Sequence, residues 1–223
     1  LSRIINVNII TMNSTMKKSP LALAILCLLI EEPMHPYRMQ QLIKERGKYE
    51  VINVRHRTSV YQTIHRLLRD GAIAIQGKKQ KEGKPELTVY EITDKGRRAA
   101  YTWLREMLST PKQEFCEFPA AVSFLMLLTP EDVAEQLKKR ASALEDTLAR
   151  IDNQLQTATA EGLPRLFLLE TEYQRTMIMA EIEWIQSILK DIQTGKLQWD
   201  EEWLRMMAIK FSKMESEESE KSR

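Results

Sequence analysis

At 223 residues the chain is long enough for one large domain or two small ones with cores of their own. Its net charge of +2 conceals a division: residues 1–110 hold 19 Lys+Arg against 10 Asp+Glu, a balance of +9, and residues 111–223 hold 14 against 21, a balance of −7. Two distant cysteines, Cys27 and Cys116, exclude a disulfide framework and fit a reducing cytoplasm, while three unclustered histidines without CxxC or HExxH exclude the common metal sites.

Residues 1–17 show no periodicity and are expected to form a disordered leader, in which Met12 and Met16 are candidate starts. Ser19-Pro20 supplies an N-cap and an N1 proline for a first helix ending near Glu31. Its run LALAILCLLI is too short to cross a bilayer and lacks a small-residue cleavage site, so it reads as a core helix and not an export signal. A second helix opens at Pro36, buries Met39, Leu42 and Ile43, and stops at Gly47. The third helix lies in RHRTSVYQTIHRLLRDGAI, residues 55–73, where Val60, Ile64, Leu67 and Leu68 share one face. Ser59 with Gln62 reads as a capping box, and Asp70-Gly71 reads as the stop.

After Gly71 the period shortens to two. Ile73 and Ile75, a basic loop GKKQKEGKPE and the run LTVYEI predict a two-stranded hairpin with a charged tip. Thr93-Asp94 then caps a fourth helix carrying Ala100, Trp103, Leu104, Met107 and Leu108. Beyond Pro111, Thr129-Pro130 caps a long helix with a heptad seam of Leu137, Ala141, Leu144, Leu148, Ile151 and Leu155. Gly162 and Pro164 break it. A second long helix places Leu166, Leu169, Tyr173, Met177, Ala180, Trp184 and Ile188 on one side, each helix being roughly 40 Å long at about 1.5 Å per residue. A shorter helix follows between Trp199 and Phe211, and residues 213–223 read as a disordered charged tail.

The expected class is therefore mostly α with a small β-hairpin: a winged helix-turn-helix over 18–110, then an antiparallel long-helix dimerisation domain over 111–212. No catalytic constellation is present in the sequence, so the chain reads as a non-enzyme needing no cofactor. The polar face of the third helix suits duplex DNA. Arg57, Gln62 and His65 are placed to reach bases, Thr58 shares their DNA-facing side, and Arg55, Arg66, Lys78, Lys79, Lys81 and Lys84 are placed to neutralise phosphates. A winged-helix module that meets an acidic protein without specific DNA binding is the alternative.

Three stretches carry a resemblance: LALAILCLLIEEPMHPYRMQQLI, TSVYQTIHRLLRDGAI and EGKPELTVYEITDKGRRA. Together they are similar to the PadR family of bacterial transcriptional regulators over about residues 20–108. Pro36 stands where that family commonly has glycine, and Gln62 where proline often follows the tyrosine. The resemblance implies that Tyr37 and Tyr61 touch the DNA backbone or brace the recognition helix, that Ser59 caps it, and that Lys84-Pro85 lie at the wing. It also implies a cytoplasmic homodimer acting on a pseudo-palindromic operator, usually as a repressor, and a small aromatic effector near the dimer core. Trp103, Phe167, Tyr173 and Trp184 are the candidate effector residues.

Overall fold

Ser19 opens α1 (Pro20–Glu31) by accepting a hydrogen bond at Oγ from the Ala22 N–H, 3.2 Å away. The computed structural model describes residues 16–48, 52, 57–79 and 86–221, and at 57, 79 and 213–221 the backbone alone. Met16 packs on the core, and the rest of the expected leader lies outside the described residues. The chain divides into two compact units, residues 1–113 and 114–223.

In the N-terminal unit α1 is central. It packs on α2 (Pro36–Glu45), α3 (Arg57–Arg69), β2 (Leu87–Ile92) and α4 (Asp94–Ser109). Ala22, Ile25 and Leu26 have no exposed surface, and burial of each large aliphatic side chain stabilises the fold by roughly 1.5–3 kcal/mol. Met39, Ile43, Val60, Ile64, Leu67 and Trp103 complete this core. β1 (Ile73–Lys79) pairs antiparallel with β2, with a register shift between Ile75 and Gly77. The strands are joined by one connection not foreseen from pattern: Met34, between α1 and α2, exchanges two backbone hydrogen bonds with Tyr90 at 3.0 and 3.1 Å. The loop before α2 is thereby fastened to the wing.

The C-terminal unit runs α5 (Glu117–Val122), a single 3-10 turn, α6 (Pro130–Ala160), a second such turn at Arg165–Phe167, α7 (Leu169–Gln193) and α8 (Glu201–Lys221). Thr129 caps α6 as expected, its Oγ1 accepting from the Asp132 N–H at 3.3 Å. Two ion pairs, Arg140–Glu181 at 2.5 Å and Arg175–Asp152 at 2.6 Å, tie α6 and α7 in antiparallel sense. Leu137, Ala141 and Ile151 of the heptad seam are buried, and Leu144, Leu148 and Leu155 are half-buried.

Three expectations are corrected. The second long helix starts at Leu169; Leu166 and Phe167 lie in the preceding 3-10 turn. Its inner face is Ile182 and Ile185 with half-buried Ile178 and Leu189, whereas Leu169, Tyr173, Met177 and Trp184 of the expected stripe are exposed. The helix has two apolar faces, and α6 takes the one richer in β-branched isoleucine. Finally, α8 continues through the expected tail to Lys221, because residues 201–223 contain no glycine or proline and are dominated by helix formers such as Glu, Lys and Met.

Candidate nucleic-acid interface

α3 sorts its residues sharply. Val60, Ile64 and Leu67 are 0–1% exposed, and Thr63 is buried with its hydroxyl donating to the Ser59 carbonyl at 2.8 Å. Thr58, Tyr61, Gln62, His65 and Arg69 are exposed and recur at steps of three and four, forming one stripe about 16 Å long at 1.5 Å per residue.

The end of this helix is closed by a Schellman arrangement. The Ala72 N–H donates to the Leu67 carbonyl at 2.9 Å and the Gly71 N–H to the Leu68 carbonyl at 3.0 Å, with Gly71 at φ 71°. Thr93 then clamps the same turn to α4. Its Oγ1 lies 2.8 Å from the Gly71 carbonyl and 3.0 Å from the Ala72 carbonyl as donor, and accepts from the Gly96 N–H at 3.1 Å. Lys95 adds a bond to the Asp70 carbonyl at 2.7 Å. Gly96 is required by proximity: a Cβ there would stand 2.0 Å from the Ala72 oxygen. The C-terminal turn of α3, the hairpin and α4 thus meet in one hydrogen-bonded joint.

Tyr90, on β2, is buried, and burial together with the neighbouring Tyr61 hydroxyl pushes its phenol above the ordinary value. Tyr61 lies near this strand, and 44% of it is exposed. On α2, His35 is the N-cap, its Nδ1 accepting from the Arg38 N–H at 3.1 Å, and its ring stacks on Tyr37 with 6.2 Å between centroids. Tyr37 is 56% exposed beside that helix start.

Several candidate residues take other roles. Ser59 does not cap α3, because the helix begins two residues earlier at Arg57; Ser59 lies half-buried in its first turn. Arg66 is half-buried and points its Nη2 to the Ser19 Oγ at 3.5 Å, linking α3 to the start of α1. Lys78 pairs with Glu86 across the wing at 2.8 Å, so its charge is partly balanced within the chain. Arg57 begins α3 and Lys79 ends β1; Arg55, Lys81 and Lys84 lie outside the described residues.

Of the four effector candidates, Trp103 belongs to the N-terminal unit and the other three to the C-terminal unit. Trp103 is 7% exposed in the core of the N-terminal unit. Phe167 and Tyr173 are 61% and 65% exposed, and Trp184 meets the edge of Phe118 at 5.9 Å. Tyr173 and Trp184 are eleven residues apart on one helix, about 16 Å along its axis. Sequence reasoning set Arg69 on the polar face of the third helix without giving it a contact, and missed the Met34–Tyr90 bridge; Arg69 is exposed at the end of the stripe. Arg69 carried a signal, since it lies four residues after His65 on the same face; a one-residue bridge carries none.

Residues 25–101 match the Transcriptional regulator PadR-like family. This segment is a PadR-like regulator domain. The PadR-like domain contains α2, α3, both strands and the Thr93–Gly96 joint described above. Fold similarity extends beyond it. The structure of Bacillus subtilis PadR in complex with operator DNA is similar at a TM-score of 0.65 and 20% identity, covering 77% of this chain and 98% of that one. B. subtilis PadR in complex with p-coumaric acid gives 0.63 at 19% identity over 78% and 98%, and the Vibrio cholerae virulence activator AphA gives 0.59 at 19% over 78% and 99%. No curated protein sequence matches the chain. Among the described residues no helix is long and apolar enough to cross a membrane, and no cluster of His, Cys, Asp and Glu could hold a metal ion.

Proposed function

We propose that the protein is a homodimeric, sequence-specific DNA-binding transcriptional repressor that a small aromatic effector releases from its operator. The observation that carries this reading is the exposed stripe of Thr58, Tyr61, Gln62, His65 and Arg69 on a helix whose other face is fully packed. A helix so divided enters the major groove with its polar side, where glutamine suits adenine and arginine suits guanine or phosphate. The wing lies along the backbone, with Lys79, Lys81 and Lys84 supplying charge there alongside Lys78, and Arg55 and Arg57 serve the N-terminal approach to α3. Tyr37 meets the phosphate backbone from the start of α2.

Dimerisation uses the outward stripe of α7. Leu169, Tyr173, Met177 and Trp184 are each 38–65% exposed and lie in one line, an apolar seam that a second copy covers. Two recognition helices about 34 Å apart then meet successive major grooves of a pseudo-palindrome. The operator complex of B. subtilis PadR supports the DNA reading by its shared fold, and the p-coumaric acid complex supports the effector reading.

The test is fluorescence anisotropy on a duplex from the upstream region of the protein's own gene. Gln62→Ala should weaken specific binding by about 1–3 kcal/mol, five- to 150-fold, while leaving binding to unrelated duplex unchanged. Lys78→Glu/Lys79→Glu should weaken both. Equal affinity of wild type for both duplexes would instead favour a module that meets an acidic protein.

A further inference from the structure

A hollow of about 640 Å³ opens in the C-terminal unit between the start of α6 and the turn that leads into α8. Its apolar wall is Leu128, Ile192 and Leu204. Two indoles face it. Trp199 is fixed, its Nε1 donating to the Leu128 carbonyl at 2.8 Å and its ring packing on the helical core; Trp203, on the first turn of α8, is 43% exposed.

The charged residues lining this space are all acidic: Glu131, Asp200 and Glu201. Asp200 is engaged as the cap of the Trp203 N–H at 2.7 Å, and Glu201 reaches Arg205 at 3.2 Å in an exposed pair. Glu131 has no ion-pair or hydrogen-bond partner among the described residues. The surrounding unit adds to this field, with 13 Lys+Arg against 21 Asp+Glu in residues 114–223.

Volume, apolar wall, two aromatic faces and one sign of charge together select a ligand type. The size is that of a small-molecule site, within the range of about 300–1,000 Å³. Aromatic faces attract cations through the ring quadrupole, and carboxylates at the mouth attract them through charge, so an anion meets repulsion and a neutral body gains only the apolar contact. We propose that this hollow binds an organic cation, an ammonium group carried on an apolar frame. The ammonium lies against Trp203 and Glu131, and the frame lies on Leu128, Ile192 and Leu204. The site belongs to the C-terminal unit alone, so binding stands or falls independently of whether α3 reads DNA.

Isothermal titration of the full chain with three compounds sharing one frame tests this: (4-phenylbutyl)trimethylammonium, 4-phenylbutanol and 4-phenylbutyrate. The ammonium should bind once per chain and about tenfold or more tighter than the alcohol, and the carboxylate should not bind. Trp203→Leu and Glu131→Gln should each weaken the ammonium, the former by about two- to thirtyfold. Glu145→Gln, on an exposed turn of α6 outside the hollow, should leave it unchanged. Because Trp203→Leu could disturb α8, Glu131→Gln supplies the second reading, with circular dichroism showing both variants folded. Equal affinity for all three head groups, no binding of any, or insensitivity to both variants would overturn the proposal. So would light scattering in which Trp203→Leu lowers the particle mass of a protein that ignores the ammonium, since the hollow would then be covered by a second copy.

Discussion

Replacing Gly96 by alanine sets two effects against each other. In an exposed helix interior the change would stabilise by about 0.8–1.0 kcal/mol, through helix propensity alone. Here the new Cβ would stand 2.0 Å from the Ala72 oxygen, 2.9 Å from the Ala72 carbonyl carbon and 3.0 Å from Ile92 Cγ1. The first two are backbone atoms of the turn that ends α3, so relief requires α4 and that turn to separate by more than an ångström. Overpacking of this kind costs about 1–3 kcal/mol. The separation also stretches the Thr93 bonds to Gly71 and Ala72, at about 1 kcal/mol for a typical net hydrogen bond. Subtracting the propensity gain leaves a net loss of about 1–3 kcal/mol, which for a chain of this size lowers the melting temperature by roughly 2–4 °C per kcal/mol. Thermal and urea unfolding of Gly96→Ala, followed by circular dichroism, measures it. A variant more stable than wild type would show that the joint yields freely and would refute the reasoning.

Thr93→Ala should destabilise by about 1–2 kcal/mol through loss of the α4 cap and the clamp on the turn, and Thr93→Ser should restore most of it in the same melts; equal damage from both would sink the hydroxyl's role. Arg46 donates two hydrogen bonds to Glu31, at 2.6 and 2.7 Å, and holds its carboxyl below the usual glutamate range. A depressed acid adds stability above its unfolded pKa of about 4.3 and loses it as pH falls through the lower folded value. Glu31→Gln should therefore be less stable than wild type at neutral pH, by about 0.2–1 kcal/mol for this exposed pair, and the difference should vanish in acid. A difference that grew on acidification would contradict the assignment. Met177→Glu places a charge in the centre of the exposed α7 stripe and should convert the proposed dimer to protomers in sedimentation at micromolar concentration; an unchanged mass would remove this face from the proposed interface.

The features legible in the sequence are the short-range ones. Ser19-Pro20, Thr93-Asp94 and Thr129-Pro130 each cap the helix they precede, because the bond closes within three residues. Gly71 ends α3 for the same reason. Ser59 was misleading because three hydroxyl or imidazole residues stand within four positions near the helix start, His56, Thr58 and Ser59, and the pattern does not choose among them. What depended on distant partners was hidden: Arg66 is drawn to Ser19, 47 residues away, and Lys78 to Glu86 across the wing. α7 displays two apolar faces in its sequence, and only packing against α6 decides which turns inward. Trp103 lies at a helical spacing compatible with either a pocket or a core, and its contact with α1-centred residues assigns it to the core. The exposed stripe of α3 was legible because three buried aliphatic positions, Val60, Ile64 and Leu67, with half-buried Leu68 define its opposite.

On the proposed reading, Lys79, Lys81 and Lys84 of the wing, with Arg55, Arg57 and Arg69 around α3, neutralise phosphates of duplex DNA. Measuring the affinity for an upstream duplex between 50 and 200 mM salt tests it directly, since each phosphate contact contributes about −0.9 to the slope of log K against log salt. A slope of roughly −5 or steeper is expected for the wild-type protein, reflecting six or more contacts, and a shallower one for Lys78→Glu/Lys79→Glu. An affinity independent of salt would contradict it.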